Sequence, residues 1–368
     1  MAVLDLPGMD VAGRIPRLRA GLDGAGCDAL VVTHLTNVRY LTGFTGSAAL
    51  LVVAAHEAVL VTDGRYEEQA ATQLAASGAP ARLAVGRTAA AQGEEVQAAL
   101  DGSRRPGLEA DHVTWADQRR WAERLGDREL VPAQGPVEAL RAVKDEGEVA
   151  RVEAACAIAD EALAAVRAEL VDGPTERELA RRLEAEMRRR GADDLSFPTI
   201  VASGPNGSRP HHEPTDRPIG PGELVTIDFG ALVDGYHSDM TRTLAVGGRA
   251  ALGADLLRVL EVVTEAQAAG VAAVRAGVDA SEVDRACREV IAAAGWADAF
   301  VHGTGHGVGL DIHEAPRVSA NPGDTLAAGH LVTVEPGVYL PGVGGVRVED
   351  TVVVTPGGCR PLTRAPKD

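Results

Sequence analysis

Only four cysteines occur in this 368-residue sequence, and no two of them are close in the chain. No C-x-x-C pair is present, which excludes a zinc ribbon and a thioredoxin-like redox motif. Scattered single cysteines are typical of a reducing compartment. The first ten residues contain acids and a Pro-Gly pair but no basic start or apolar run, so the pattern predicts no signal peptide. We therefore expect a cytoplasmic protein.

Aromatic residues and positive charge are also scarce. Aromatic side chains make up 3% of the chain, so the core must be aliphatic. The formal net charge is −17 at pH 7, and the only lysines are Lys144 and Lys367. A chain this acidic repels phosphate backbones and anionic lipid, which argues against nucleic acid as a partner. No apolar run reaches the roughly 18 residues of a membrane-spanning helix, so we expect no membrane partner.

The length of the chain suggests two domains. Short strands, helices and turns alternate up to about residue 135, which predicts an α/β domain at 1–135. Longer helical patterns begin beyond Gly135-Pro136, and a helix pair followed by strands occurs twice, at 146–246 and at 254–355. This coarse repeat predicts an α+β domain at 136–368 with one curved antiparallel sheet.

Two aspartates flank a hairpin signal in the second half of the chain. Asp234-Gly235 is typical of a tight turn, and apolar runs lie on both sides of it. Whether residues 233–234 or 234–235 close the hairpin, Asp228 and Asp239 fall on one face. Like charges on one face destabilise a sheet unless a cation lies between them. An exposed acidic face is the alternative, and this pair alone does not decide between the two.

A glycine-rich segment carries three histidines within twelve residues. Glycines at 303, 305, 307 and 309 disfavour a helix, and their spacing does not complete a dinucleotide-binding loop. Histidine is the commonest metal ligand. His302, His306 and His313 are therefore candidates for binding or catalysis, with a structural role for each as the alternative.

A third segment places two acids within apolar strands. Glu335 and Glu349 each follow a valine, and they are symmetric about the glycine turn near residue 342, so they are expected to face each other. Charged side chains in such runs are rarely buried unless they are paired or bind a metal.

Together the three segments offer four carboxylates and one histidine. This set suits a pair of divalent ions: Mn²⁺ is the expected metal, and Co²⁺ or Zn²⁺ would also fit. Two such ions can activate water and polarise a carbonyl. Neither H-E-x-x-H nor G-x-S-x-G occurs, so two other common hydrolase centres have no support.

At these residues the sequence resembles the aminopeptidase P/prolidase family, which joins a creatinase-like N-terminal domain to a pita-bread catalytic domain. The resemblance extends over essentially the whole chain. Its motifs are NVRYLTGF at 37–44, IDFG at 227–230, SDMTRT at 238–243, HGTGHGVGLDIHE at 302–314, TVEPG at 333–337 and VRVED at 346–350. The resemblance implies a metallo-exopeptidase that cleaves the Xaa-Pro bond of proline-containing peptides and forms a homodimer.

The resemblance also assigns the two divalent ions to named residues. The implied ligands are Asp228, Asp239, His306, Glu335 and Glu349. Among them, Glu335 is expected to accept a proton from the attacking water and to pass it to the leaving nitrogen.

Other residues of the site are expected to act on the substrate. The resemblance implies that His211 and His313 contact the substrate and the developing oxyanion. It places His302 near the proline subsite. An amide before proline has no N–H, so selectivity must come from the shape of the ring, for which Phe197 and His302 are the expected pocket. By the same resemblance, two further residues support the metal shell or line the site: Tyr236 and Arg347.

One departure from the family concerns substrate length. Longer prolidases have an inserted loop between the positions of His313 and Glu335 that supplies an arginine for the carboxylate of a dipeptide. Here the stretch 314–334 is short and offers only Arg317. We therefore expect an Xaa-Pro aminopeptidase that accepts longer peptides, with an Xaa-Pro dipeptidase as the alternative.

Three further alternatives share the pita-bread fold. Methionine aminopeptidase has the same ligand types but no reason to carry a long N-terminal domain. Creatinase has both domains but works without metal. A non-catalytic peptide-binding protein would be expected to have lost ligands, and here none is missing.

Overall fold

A computed structural model describes residues 5–321 and 323–367. The described residues form two compact units: Met9–Arg141, and 142–367 together with 5–8. Within these residues, no helix is both long enough and apolar enough to cross a membrane.

The first unit is a mixed β-sheet with helices between its strands. Its strands are β1 (Ala29–Val32), β2 (Ala49–Val53), β3 (Ala58–Thr62), β4 (Arg82–Val85), β5 (Pro106–Glu109) and β6 (Val131–Ala133). Its helices are α1 (Arg14–Gly21), α2 (Leu35–Thr42), α3 (Glu67–Ser77), α4 (Ala89–Ala99), α5 (Trp115–Leu125) and α6 (Pro136–Ala142). The strands lie in the order β4-β3-β2-β1-β5-β6, with β1 antiparallel to β2 and parallel to β5. All four residues of β1 are buried, as expected of a central strand covered on both faces.

A buried polar network joins the two ends of the first unit. The Arg141 guanidinium donates to Asn37 Oδ1 at 2.8 Å, and Asn37 Nδ2 donates to Glu109 Oε1 at 2.7 Å. Asn37 Nδ2 also donates to Glu138 Oε1 at 2.6 Å. These bonds satisfy groups that would be costly to bury alone, so they fix α2 and α6 to the end of β5.

His34, His112 and Glu138 are close enough together to be tested as a metal site. The two imidazole rings are stacked, with centroids 3.8 Å apart and planes 7° apart. The lone pairs of ring nitrogens lie in the ring plane, so two parallel stacked rings do not direct them at one point. His112 Nε2 instead lies 2.7 Å from Glu138 Oε1. We therefore assign this cluster to the polar network of the unit.

The second unit contains the four longer helices of the described chain. They are α7 (Glu146–Val166), α8 (Glu176–Arg189), α9 (Ala254–Ala273) and α10 (Ala280–Ala293). A capping box forms at the start of α8: Thr175 Oγ1 accepts from the Glu178 N–H, and the Glu178 carboxylate accepts from the Thr175 N–H. The α7 helix ends at Val166, and the chain continues as a 3₁₀ helix, Arg167–Asp172.

The strands of the second unit pair antiparallel, as predicted. They are β7 (Asp194–Leu195), β8 (Ile200–Ser203), β9 (Leu224–Phe229), β10 (Ala231–Val233), β11 (Tyr236–His237), β12 (Met240–Ala245), β13 (Gly305–Gly307), β14 (Glu314–Val318), β15 (Leu331–Val334), β16 (Gly337–Leu340), β17 (Gly344–Arg347), β18 (Asp350–Thr355) and β19 (Gly358–Pro361). Their ladders are β12-β9-β8, β11-β10-β7, β14-β13-β15-β18-β19 and β16-β17.

The breaks between these ladders fall at chemically important residues. One break separates β11 from β12 at Ser238-Asp239, and another separates β15 from β16 at Glu335-Pro336. Proline has no N–H to give to a ladder, so the second break is built into the sequence. An acidic side chain, Asp239 or Glu335, lies at each break.

Two hydrophobic clusters support the strands from the helix side. Leu163 of α7, Leu183 of α8 and Ile227 of β9 belong to the first cluster. Val263 of α9 and Val352 of β18 belong to the second. Each cluster therefore packs one helix pair on one set of strands, which agrees with the coarse repeat in the sequence.

Candidate active site

The first pair of carboxylates is placed by a tight hairpin. Asp234 and Gly235 have φ values of 46° and 74°, and two consecutive positive φ values are the signature of a type I′ turn. The turn therefore closes at 234–235, the second of the two registers considered above. This register sets Asp228 opposite Thr241, so Asp239 lies two positions away on the same face.

The second pair is placed by the hairpin around residue 342. The pairings of β15 with β18 and of β16 with β17 share one register, and that register sets Glu335 opposite Glu349. Both residues lie in the gap between the two ladders. Glu349 is 1% exposed, and its Oε2 accepts a hydrogen bond from Thr241 Oγ1 at 2.8 Å.

His306 reaches the carboxylates from β13. A Cβ atom at Gly305 would lie 2.0 Å from the Thr333 carbonyl oxygen of β15, and one at Gly307 would lie 2.2 Å from the Ala315 carbonyl oxygen of β14. Glycine at both positions therefore allows β13 to pack closely between its partners. His306 Nε2 lies 3.3 Å from Glu335 Oε1 and 3.6 Å from Asp239 Oδ2.

These five residues fit a divalent metal centre. Ligand oxygens of Asp228, Asp239 and Glu349 all lie within 4.8 Å of one another. Asp228 Oδ1 and Glu349 Oε1 are buried and accept no hydrogen bond from the described part of the chain. Buried acceptors are seldom left unsatisfied, and a cation would satisfy both oxygens. His306 and Glu335 complete an oxygen-rich set with one imidazole.

Without a cation the carboxylates repel one another. Burial, followed by the charges of Glu349 and Asp228, raises the pKa of Asp239 well above its usual range. Burial, followed by the charges of Glu335 and Asp228, does the same to the pKa of Glu349. Glu335 differs: burial opposes its ionisation, but the hydrogen bond and charge of His306 outweigh it and lower the pKa to about 2. Burial also raises the pKa of Asp228, against the opposing charge of Arg347. Three raised values beside one lowered value are the electrostatic mark of a cluster gathered for a cation.

Metal removal is expected to destabilise the protein most at high pH. A carboxyl whose pKa is raised by folding binds its proton more tightly in the folded state, so its contribution to the free energy of unfolding falls as pH rises above its unfolded value. For Asp239 and Glu349 that window opens at the ordinary values of 3.8 and 4.5. Glu335 has a lowered pKa and loses its stabilising contribution only below 4.5, outside this window.

The measurement is thermal unfolding at a series of pH values, with chelator and with Mn²⁺. We expect the Tm difference between the two forms to grow as pH rises from about 5 to about 8, because ligands must also be deprotonated to bind metal. A Tm difference that stays constant or shrinks over this range would contradict the assignment of buried, mutually repelling ligands.

Arg347 balances part of this negative charge. Its Nη2 donates to Asp228 Oδ2 at 2.7 Å, and its Nη1 donates to the Tyr339 hydroxyl at 2.8 Å. The same hydroxyl lies 2.8 Å from His302 Nε2. A chain of contacts therefore runs from a metal ligand to the histidine expected near the proline ring. Sequence analysis missed Tyr339, although β16–β17 pairing places it two positions from the partner of Arg347, on the same face.

A cavity of about 540 Å³ opens onto the carboxylates. Nine of the predicted site residues line it: Phe197, His211, Asp228, Asp239, His302, His306, His313, Glu335 and Arg347. Ile200, Ile312, Arg317 and Ser319 also line it and were not predicted as site residues. The volume lies within the range of small-molecule sites.

Burial leaves two of the outer histidines neutral near pH 7. It lowers the pKa of His302, and it lowers the pKa of His313 with help from the nearby His306. A neutral imidazole carries one N–H donor and one acceptor nitrogen. The His313 ring can therefore donate a single hydrogen bond to a substrate oxygen without bringing a charge into the site. In His302 both nitrogens are already engaged, since Nδ1 donates to the Gly303 carbonyl at 2.8 Å and Nε2 accepts from the Tyr339 hydroxyl.

Tyr236 lies away from the described lining of the cavity. It was expected to support the metal shell or line the site, but it is not among the described residues that line the cavity. Its side chain is buried, and its hydroxyl donates to Glu148 Oε1 at 2.9 Å. Strand alternation explains the difference, because Tyr236 pairs with Val233, which points to the opposite face from Asp228. We therefore assign Tyr236 to the packing of β11 against α7.

Both units of the chain match known protein families. The Creatinase/Prolidase N-terminal domain matches residues 14–143, and the peptidase family described as Metallopeptidase family M24 matches residues 150–356. The chain belongs to metallopeptidase family M24. It is a metallo-exopeptidase, and divalent metal ions are implied by its family. The predicted fold, an α/β creatinase-like domain followed by an α+β pita-bread domain, is confirmed.

Relatives of this M24 chain match it along almost its whole length. The Xaa-Pro dipeptidase of Pyrococcus furiosus is 34% identical over 96% of this chain and 99% of its own. The solved structure of an Xaa-Pro dipeptidase from Bacillus anthracis has a TM-score of 0.92 and 37% identity, covering 97% of this chain and 99% of that one. The X-Pro aminopeptidase from Thermotoga maritima has a TM-score of 0.85 and 31% identity, covering 95% and 99%. The names of these relatives differ in the length of peptide that is cleaved.

Proposed function

We propose that this M24 protein hydrolyses the Xaa-Pro bond and that Xaa-Pro dipeptides are its preferred substrates. The observation that carries the proposal is the composition of the single cavity described above. This cavity brings together the proposed metal ligands, two neutral imidazoles, an apolar wall and one arginine.

The metal set supplies the hydrolytic chemistry. When bound, a pair of divalent ions provides Lewis-acid activation of water and of the scissile carbonyl. Glu335 stays ionised because its pKa is low, so its carboxylate is ready to accept a proton from water and deliver it to the leaving proline nitrogen. His313 and His211 lie on the cavity wall, where their N–H groups can stabilise the developing oxyanion.

The apolar wall accounts for selectivity towards proline. The nitrogen of an Xaa-Pro bond has no hydrogen, so recognition of this bond depends on the ring rather than on a backbone N–H donor. Phe197 and His302 line the cavity together with Ile200. The His302 ring is held edge-on against Phe300, with centroids 5.1 Å apart, and by its contact with Tyr339. A fixed ring of this kind offers a flat surface for a pyrrolidine.

Arg317 favours dipeptides over longer substrates. It lies opposite His306 in the β13–β14 pairing, which puts it on the face that lines the cavity. In the described part of the chain, its guanidinium forms no ion pair with a carboxylate. A free guanidinium beside a catalytic centre is suited to the terminal carboxylate of a short peptide. Of the two lengths considered from the sequence, the dipeptide therefore has the better support.

The test compares Gly-Pro with an Xaa-Pro-Xaa series in the presence of Mn²⁺, using wild type and Arg317→Gln. A hydrogen bond to a charged group contributes about 1.5–3 kcal/mol, so KM for the dipeptide should rise roughly ten- to a hundredfold. KM for a tripeptide should change much less, because its carboxylate lies further from the scissile bond. Arg285→Gln, an exposed arginine on α10, is the matched control and should change neither value.

Two other outcomes are informative. Tripeptides cleaved better than Gly-Pro, with no effect of Arg317→Gln, would identify an Xaa-Pro aminopeptidase instead. Failure of metal-loaded wild type to cleave any Xaa-Pro bond would refute the proposed function.

Three narrower points remain predictions of this proposal. Mn²⁺ is the proposed metal because four carboxylates and one imidazole form a hard ligand set. The homodimer is supported by the resemblance in sequence and by the frequency of twofold assemblies. A cytoplasmic location is supported by the scattered cysteines.

A further inference from the structure

Glu176 is a buried carboxylate at the first position of α8, and it holds the segment that carries His211. Its side chain is 0% exposed. We propose that Glu176 is a positioning residue for His211 and controls turnover through it without touching the substrate. The inference rests on the proposed function, since it assumes that His211 acts on the substrate. The segment 203–215 is called here the His211 segment.

One carboxylate oxygen of Glu176 holds the start of the His211 segment. Glu176 Oε1 accepts hydrogen bonds from Ser203 N and Ser203 Oγ, both at 2.8 Å. It also accepts from Asn206 Nδ2 at 2.9 Å. All of these donors precede His211 in the chain.

The other oxygen holds the end of the same segment. Glu176 Oε2 accepts from Thr215 N at 3.0 Å and from Thr215 Oγ1 at 2.6 Å. It also lies 2.9 Å from His212 Nε2. One side chain therefore binds both sides of His211, which is itself exposed on the cavity wall.

The His211 segment has little regular structure of its own around the histidine. Its first part forms the 3₁₀ helix Gly204–Ser208, but His211 lies in a turn and residues 212–215 belong to no helix or strand. Backbone ladders therefore do not fix the direction of the His211 side chain. The bonds to Glu176 hold both ends of the segment, and single bonds from Arg177 N to the Thr215 carbonyl and from Arg347 Nη1 to the Pro210 carbonyl add to them. Catalytic geometry is sensitive to shifts of about 1 Å.

The carboxylate is matched to this task by its charge. Burial opposes ionisation of Glu176, but hydrogen bonds from Thr215, Asn206 and His212 outweigh it and lower its pKa to about 2. A glutamine would fit the same space but would replace one acceptor oxygen with an NH₂ donor. That donor would face the N–H and O–H donors at one end of the segment, so Glu176→Gln should release that end.

The test is a double-mutant cycle with metal-loaded full-length protein on Gly-Pro. Glu176→Gln should lower kcat about ten- to a hundredfold with unchanged metal content. In a His211→Ala background the same substitution should change kcat less than about twofold, because its effect is transmitted through the missing ring. Asp160→Asn is the matched control, since Asp160 also accepts two backbone N–H bonds, from Arg364 and Ala365, and should leave kcat unchanged.

Equal losses of kcat in the two backgrounds would overturn the proposal, because Glu176 would then act on the fold as a whole. If Glu176→Gln does not fold, Ser203→Ala and Thr215→Val release one end of the segment each and enter the same cycle. Hydrogen exchange gives a readout that is independent of activity: amides of 203–215 should exchange faster in Glu176→Gln, and unchanged exchange would also overturn the proposal. Inactive wild type would instead indicate failure of the proposed function, and the exchange experiment would still decide whether the tether exists.

Discussion

Glu349→Ala is expected to lose bound metal and to reduce Xaa-Pro hydrolysis below detection. Chelation of the wild type should have the same effect until Mn²⁺ or Co²⁺ is added back. Glu349 is almost fully buried, and one of its oxygens accepts no hydrogen bond from the described residues. A carboxylate oxygen of Glu349 lies within 4.8 Å of ligand oxygens of Asp228 and Asp239. Removing the carboxylate takes away a ligand that no neighbouring side chain can replace, and the Lewis-acid chemistry is lost with the metal.

His306→Ala should behave in the same way, because it removes the only imidazole of the set. The measurement is metal content per chain beside kcat for each purified variant. Glu153→Gln is a suitable control, since Glu153 is a carboxylate paired with surface arginines. Stoichiometric metal in Glu349→Ala would overturn the ligand assignment. Full activity in metal-free wild type would refute the hydrolytic mechanism itself.

The facing of the four carboxylates within their two hairpins followed from local rules of strand geometry. Side chains alternate with a period of two along a strand, so either register of the Asp234-Gly235 turn set Asp228 and Asp239 on one face. In the same way, the symmetry of Glu335 and Glu349 about residue 342 predicted that these two residues face each other. In both hairpins the structure shows the register that these rules allowed. Short sequence separation made these contacts predictable.

The direction of the Arg317 side chain could not be predicted from local rules of strand geometry. The sequence offered it as the only arginine between residues 314 and 334, but its direction depends on how β13 pairs with β14. That pairing contains an irregularity between His306 and Gly307 that shifts the register, and a bulge of this kind has no reliable mark in a single sequence. The sequence alone therefore left open the direction of Arg317, on which the proposed preference for dipeptides rests.

Tyr236 and Tyr339 show how strand alternation bears on the placement of two tyrosines near the site. Tyr236 was assigned to the site by resemblance, although its distance from the turn places it on the opposite face from Asp228. Tyr339 was overlooked, although the same counting places it beside Arg347. For both tyrosines, the alternation of side chains along a strand predicts the face on which the structure places them. The contacts of Glu176 with the His211 segment, in contrast, join an α8 residue to a loop up to 39 residues away, and no local pattern predicts such bonds.

His313→Ala is expected to keep its metal and still lose kcat about 10²- to 10³-fold. The imidazole packs edge-on against His306, with ring centroids 4.4 Å apart, yet it is not one of the ligands. Its backbone is held in place because the next residue, Glu314, forms a buried ion pair with Lys144 at 3.0 Å. A donor fixed in this way contributes mainly in the transition state, when charge develops on the carbonyl oxygen, and removal of one such donor has a cost of this size.

The same substitution at His211 should also spare the metal and lower kcat, since His211 shares the cavity wall. KM should change little in either variant, because a group that acts only in the transition state affects kcat and kcat/KM equally. His313→Asn retains an N–H donor on a shorter side chain and should be less impaired than His313→Ala. His56→Ala, at an exposed position in the first unit, is the control. Loss of metal from His313→Ala would show that His313 is a metal ligand. A kcat equal to that of the wild type would show that His313 takes no part in the reaction.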